Sequence, residues 1–232
     1  MAGPLDAVAS RTVSVCGEKT TSLKSTGHDR KNVTVLVTCS ADGRMKKGLV
    51  VFKGLGQSTE DKLLLKRTDL KVCYSENGWA NDEIIEIWLK WIFPAFDTSN
   101  KLLVWDSFRA HISEKTKKVL KNIKNLHTAV LPGGTTSLIQ PCDVGINAPM
   151  KSKIKKLFDE FLDDPTQHTF TKGGNIRSLS KTQVCDTIVK VLKSISSDTV
   201  KNSFNCCGLS PESIPIDITC MKKIDRLNLH VI

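Results

Sequence analysis

Apolar positions along the chain fall into short continuous runs and helically spaced clusters. Asn32-Val33-Thr34-Val35-Leu36-Val37-Thr38-Cys39 is β-branched and nearly unbroken in apolarity, the pattern of a central strand buried on both faces. Ser40-Ala41-Asp42-Gly43 supplies turn chemistry, and Gly48-Leu49-Val50-Val51-Phe52 returns as a second strand, so the two predict a hairpin with a longer loop. Arg11-Thr12-Val13-Ser14-Val15 is suited to pair on the other side of the first strand. From Asn81 an N-cap, the first-turn acids Asp82 and Glu83, and Ile84, Ile87, Trp88, Trp91 and Ile92 at helical spacing predict a helix ending at Pro94. Lys101 to Trp105 predicts a short buried strand, Ser113 to Ile123 a lysine-rich amphipathic helix, and Thr128 to Leu131 another strand.

A second lysine-rich helix is expected from about Val144 to Leu162, before Pro165, and a loop from Gln167 to Leu179. Lys181 to Lys193 reads as a compact helix, and a last helical turn ends near Gly208. Strands first, then strand and helix in alternation, predict an α/β fold with a mixed sheet flanked by helices. Residues 1–209 are expected to form one domain, and 210–232, with Pro211, Pro215 and Lys222-Lys223, a loosely held tail.

Composition narrows the class. Hydrophobic residues at 40% and charged residues at 25% of 232 positions are near globular averages and exclude collagen-like and low-complexity scaffolds. The longest apolar-rich stretch, Ile84 to Phe96, carries Glu86, Lys90 and Pro94 and is too short and too charged for a membrane span. The N-terminus does not read as a secretory signal, so an intracellular protein is expected. Eight cysteines contain no C-x-x-C pair, which argues against structural zinc; Cys39, Cys73 and Cys185 sit in apolar stretches and read as core. Trp79, Trp88 and Trp91 also read as core, the last two by helical spacing.

Net charge is +10, and residues 101–160 hold eleven basic against five acidic side chains, so the excess is focused on one quarter of the chain. Lys115, Lys118 and Lys121 follow one another at intervals of three, and Lys151 and Lys155 share a helical face. A solvated helix surface has the same pattern, but the concentration of charge favours a polyanion such as DNA.

Two acids stand out by position. Asp106 directly follows a buried strand, where α/β folds place ligands, and Asp143 in Gln140-Pro141-Cys142-Asp143 sits at the mouth of a helix. Each alone also fits a local capping or turn role. Together they suit a hard divalent cation, which takes one or two carboxylates plus substrate phosphates.

These residues resemble a known family. Leu103-Val104-Trp105-Asp106-Ser107-Phe108-Arg109-Ala110-His111 resembles the strand carrying the second catalytic acid of the DDE-type endonuclease domain of pogo/Tigger-like transposases, a domain shared with centromere protein B and other domesticated proteins. Leu131-Pro132-Gly133-Gly134-Thr135-Thr136-Ser137-Leu138-Ile139-Gln140-Pro141-Cys142-Asp143-Val144 resembles the segment leading to the third acid, and Asn147-Ala148-Pro149-Met150-Lys151 the basic helix after it. The interval of 37 residues from Asp106 to Asp143 is similar to the pogo type, and Thr26-Gly27-His28, Cys39 to Gly43, Phe52-Lys53-Gly54, Asn77-Gly78-Trp79 and Ser203 to Leu209 extend the likeness over about 200 residues.

The resemblance implies an RNase H-like, retroviral-integrase-like fold in which Asp106 and Asp143 hold Mg²⁺ or Mn²⁺ for phosphodiester chemistry on DNA in the nucleus. Together with the focused charge it suggests DNA contacts from Arg109, His111, Lys115, Lys118, Lys151, Lys153, Lys155 and Lys156, and it implies His111 orienting a phosphate or a neighbouring catalytic group; a histidine satisfied by backbone at a helix start is the alternative. It implies no membrane and no small-molecule substrate. The family's first acid would fall at or before Met1, so the first strand is expected to be missing; Asp6 and Asp42 do not fit its motif. A chain with two of three acids is expected to be an inactive endonuclease domain or a domesticated non-catalytic DNA- or chromatin-binding module.

Overall fold

The computed structural model describes residues 2–4, 32–172, 174 and 176–209. Arg11–Val15, Asp6, Thr26–His28 and the tail from 210 onward lie outside the described residues.

A four-stranded sheet has the order β1-β2-β3-β4, with β1 Ala2–Pro4, β2 Asn32–Leu36, β3 Leu49–Lys53 and β4 Lys71–Ser75. The first two pairings are antiparallel and the third, reached through the short helix α1 (Thr59–Leu64), is parallel. The expected hairpin is therefore present, and β2 is interior to its sheet. β3 is the strand buried most completely: Leu49, Val50 and Val51 are all fully inaccessible to solvent.

Alternate residues of β3 enter two cores. Val50 and Phe52 join Val33, Val35, Ile146, Met150, Ile188 and Val191 on one face, while Leu49 and Val51 join Ile84, Ile85, Trp88, Leu89, Leu103 and Trp105 on the other. The first core is built by α5 (Asn147–Asp163), α6 (Lys181–Ser194) and α7 (Ser197–Cys206); the second by α2 (Asp82–Ile92), with α3 (Glu114–Lys121) beside it. Helices thus cover both faces of a mixed sheet, and the α/β expectation holds.

The sheet itself differs from the expectation of one continuous mixed sheet with Lys101–Trp105 beside Val33–Cys39. β5 (Lys101–Trp105) pairs in parallel with β6 (Leu126–Val130) as a separate two-stranded sheet, and is not hydrogen-bonded to β2, whose neighbours are β1 and β3. The side chains of Leu103 and Trp105 dock β5 on α2 and β3, so hydrophobic burial joins the two sheets where no backbone ladder does.

Capping explains the helix starts. Asn81 accepts from the Ile84 N–H, Ser113 from Thr116, Ser180 from Gln183 and Ser196 from Thr199, each filling an orphan donor of the first turn. Trp88 is buried as expected, but Trp79 is 52% exposed. Asn77 Oδ1 accepts from its N–H and the Ser75 hydroxyl donates to its carbonyl, which pins the backbone after Gly78 (φ +80°) and turns the ring outward.

Candidate functional site

Asp106 leaves the end of β5, where Trp105 C=O still accepts from the Leu131 N–H at 2.8 Å. Its Oδ1 accepts from the Phe108 N–H at 3.1 Å and lies 2.7 Å from Nδ1 of His111. His111 in turn lies flat on Trp105, with ring centroids 4.5 Å apart and planes 7° from parallel. The hydrogen bond from His111 holds the Asp106 carboxyl below the ordinary carboxylate range against partial burial, and the Phe108 N–H adds to it. Trp105 is buried and packs in the core, as expected.

Asp143 lies in a π-helical turn, Cys142–Ile146, that follows the short helix α4 (Thr136–Ile139) and enters α5, closed by the Asn147 N–H donating to the Cys142 carbonyl. Gly145 sits so close to Ser203 of α7 that no side chain would fit, and Ile146 is fully buried, so the turn is seated on α7 and the core. The Asn147 side-chain amide donates to Asp143 Oδ1 at 2.7 Å. That bond fixes the amide's orientation and leaves Asn147 Oδ1 buried without a partner; Gln140 Oε1 is buried and unpartnered as well.

One end of the β2 hairpin meets the neighbours of both acids. Thr38 Oγ1 accepts from the indole N–H of Trp88 at 3.0 Å, and Trp88 stacks on Trp105, the residue before Asp106. Cys39, the next residue, has its Sγ 3.7 Å from Sγ of Cys142, the residue before Asp143. Sequence reasoning missed this junction, because its contacts span 50 and 103 residues.

The basic residues divide by what they touch. Arg109, Lys118, Lys151 and Lys155 are exposed. Lys115 faces Glu83 at 3.6 Å and Lys156 faces Glu160 at 3.9 Å, both exposed pairs that solvent screens. Lys153 donates to the carbonyl and hydroxyl of Ser194 at the end of α6, which makes it a tie between helices. His111 is engaged by Asp106 and Trp105.

Among the described residues no group of three or more His, Cys, Asp or Glu side chains could hold a metal ion. The donors at each acid are oxygens, the kind a hard cation takes: the carboxylate of Asp106, and the carboxylate of Asp143 with the amide of Asn147 bonded to it.

A family model described as DDE superfamily endonuclease matches residues 30–204. The chain belongs to this family. It is a pogo/Tigger-type, transposase-derived DDE domain, and its relatives agree. It is 23% identical over 203 residues to the mouse "Pogo transposable element with KRAB domain", covering 86% of this chain and 32% of that protein. The human "Pogo transposable element with ZNF domain" is 31% identical over 148 residues, covering 61% of this chain and 10% of its own length. "ARS-binding protein 1" of Schizosaccharomyces pombe is 23% identical over 192 residues, covering 78% of this chain and 35% of its own. The chain thus spans about a third of the length of the first of these relatives. No solved structure gives a significant match.

Proposed function

We propose that this DDE domain is an RNase H-like, nuclear DNA-binding module in which Asp106 and Asp143 share one divalent-cation site, Mg²⁺ or Mn²⁺, and which does not cleave DNA at an appreciable rate with these two acids alone. The observation that supports the reading is the junction at one hairpin end, where Thr38 meets Trp88, which stacks on the residue before Asp106, and Cys39 meets Cys142, the residue before Asp143. Asp106, held on Oδ1 by His111 and the Phe108 N–H, presents Oδ2 to a ligand. His111 acts here as a positioning residue for that carboxylate, and Asn147 does the same for Asp143.

When bound, the ion supplies Lewis acidity toward a phosphate oxygen. Two divalent ions would bring four positive charges against two carboxylates, so the second is expected to bind poorly, and cleavage that depends on both is expected to fail. The relatives named "ARS-binding protein 1" and "CENP-B homolog protein 2" support a DNA-directed role.

DNA is expected to lie along the exposed lysines of α5 and the turn after Asp106, with Arg109, Lys118, Lys151, Lys155 and Lys156 on phosphates and with Lys115 beside them. Such contacts give weak binding, Kd about 10⁻⁴–10⁻⁶ M, with little sequence preference and steep dependence on salt. Fluorescence anisotropy with a labelled duplex across a salt series tests this. In Lys151→Gln/Lys155→Gln/Lys156→Gln the slope of log K against log salt should fall by about 0.9 for each phosphate deprived of its lysine. An unchanged slope would place DNA elsewhere or nowhere.

A further inference from the structure

We propose that Cys39 and Cys142 form a reversible disulfide, a redox latch that ties the turn carrying Asp143 to the end of the β2 hairpin. This goes beyond the cation-site reading and does not depend on it, since it rests on sulfur geometry alone. The two Sγ atoms are 3.7 Å apart, in van der Waals contact, and a disulfide needs about 2.05 Å, so they must approach by roughly 1.7 Å.

Both attachment points are well defined. Cys39 makes an antiparallel bridge with Met45, and Cys142 opens the π-helical turn whose Gly145 is packed against Ser203. Both side chains are partly buried against the core formed by β2, α5 and α6, so a small oxidant can reach what a protein reductant reaches slowly. Four described thiols remain: Cys206, partly buried in the last turn of α7, and Cys73, Cys185 and Cys207. Cys73 and Cys185 are buried in separate cores, where burial pushes their thiols up to about 11 and about 12. Cys207, at the end of α7, is buried and close enough to influence the pair, which makes it the competitor that the experiment must distinguish.

The chemistry balances with hydrogen peroxide as oxidant. One thiol sulfur attacks a peroxide oxygen, the O–O bond breaks, and the sulfur is oxidised to sulfenic acid as one water leaves. The second thiol sulfur then displaces the hydroxyl from the sulfenic sulfur, forming the S–S bond and releasing a second water. Two thiols lose two hydrogens in total, and one peroxide is reduced to two waters. A dithiol reductant reverses the link by exchange.

The link would close a loop spanning 103 residues, so the oxidised chain should resist denaturant better than the reduced one. It should also hold the Asp143 turn against local opening. The test is to treat the full chain, Met1–Ile232, with a small excess of hydrogen peroxide, trap residual thiols with N-ethylmaleimide, and map tryptic peptides without reduction. The expected product has lost two hydrogens and contains a linked Cys39–Cys142 peptide that dithiothreitol abolishes. Amide hydrogen exchange over residues 140–146 should then slow about tenfold relative to the reduced chain. Cys142→Ser should lose the linked peptide; should that variant fail to fold, the wild-type map decides alone. Oxygen addition at either cysteine without a link, a link through Cys206 or Cys207, or a correct link that leaves exchange at 140–146 unchanged would each overturn the latch.

Discussion

The Nδ1 of His111 stands 2.7 Å from Oδ1 of Asp106, five residues earlier, while the imidazole lies flat on Trp105, the residue just before that acid. Two requirements on one ring, a proton toward the carboxylate and a face toward the indole, leave it little orientational freedom. This ties the hydrophobic core at Trp105 to the acid at the end of β5.

His111→Phe keeps a ring on Trp105 but removes the donor. The Asp106 carboxyl should rise toward the ordinary value of about 3.9, read by carboxyl carbon NMR titration. Because the folded-state value is depressed, the stabilisation is fully present above the unfolded carboxylate value and is lost as pH falls through the folded one. The wild type should therefore exceed the variant by about 1 kcal/mol at neutral pH, with the difference closing in acid.

Asp61, in the first turn of α1, is a second depressed acid. Burial alone would raise it, but the Lys181 ammonium at 2.7 Å, the Tyr74 hydroxyl at 2.7 Å and the Ser58 N–H hold it well below the carboxylate range. It pins α6 to α1. Asp61→Asn should lose about 2 kcal/mol in urea denaturation at pH 7, less than a fully buried ion pair because Lys181 is partly exposed and can turn to solvent. The sign follows as for Asp106: the penalty should shrink as pH drops below the carboxylate range.

Gly145→Ala should unseat the Asp143 turn. The added methyl would land on the Ser203 side chain, and relieving it means shifting either the turn or α7, at about 1–3 kcal/mol. Ser203→Gly in the same chain removes the obstructing atoms and should restore part of the loss. Thermal melts of the two single variants and the double variant measure the coupling.

Local signals carried much of the fold. Asn81, the acids after it and Pro94 bracket α2 as expected, and the apolar run before Asp106 is β5. Short elements escaped: β4 is a five-residue strand with a lysine and a serine at its ends, made stable by parallel pairing to β3, and α1 has only its Ser58/Asp61 capping box to announce it. The π-helical turn at Asp143 reads in sequence as the start of a regular helix, because the close approach of Gly145 to Ser203 belongs to tertiary structure. For the same reason the separation of β5 from the larger sheet was not legible: strand pairing is decided by partners far along the chain. Asp106, Asp143 and His111 can be singled out in the sequence because motif spacing is local, whereas the contacts of Thr38 with Trp88 and of Cys39 with Cys142 cannot.

The central proposal, a DNA-directed DDE domain in which Asp106 and Asp143 alone do not support cleavage, is tested most directly by nicking of supercoiled plasmid in Mg²⁺ and in Mn²⁺, with Asp106→Asn as control. The account expects no nicking above background for the 232-residue chain in either ion, and no difference between wild type and variant. Robust nicking by the wild type that disappears in Asp106→Asn would contradict it.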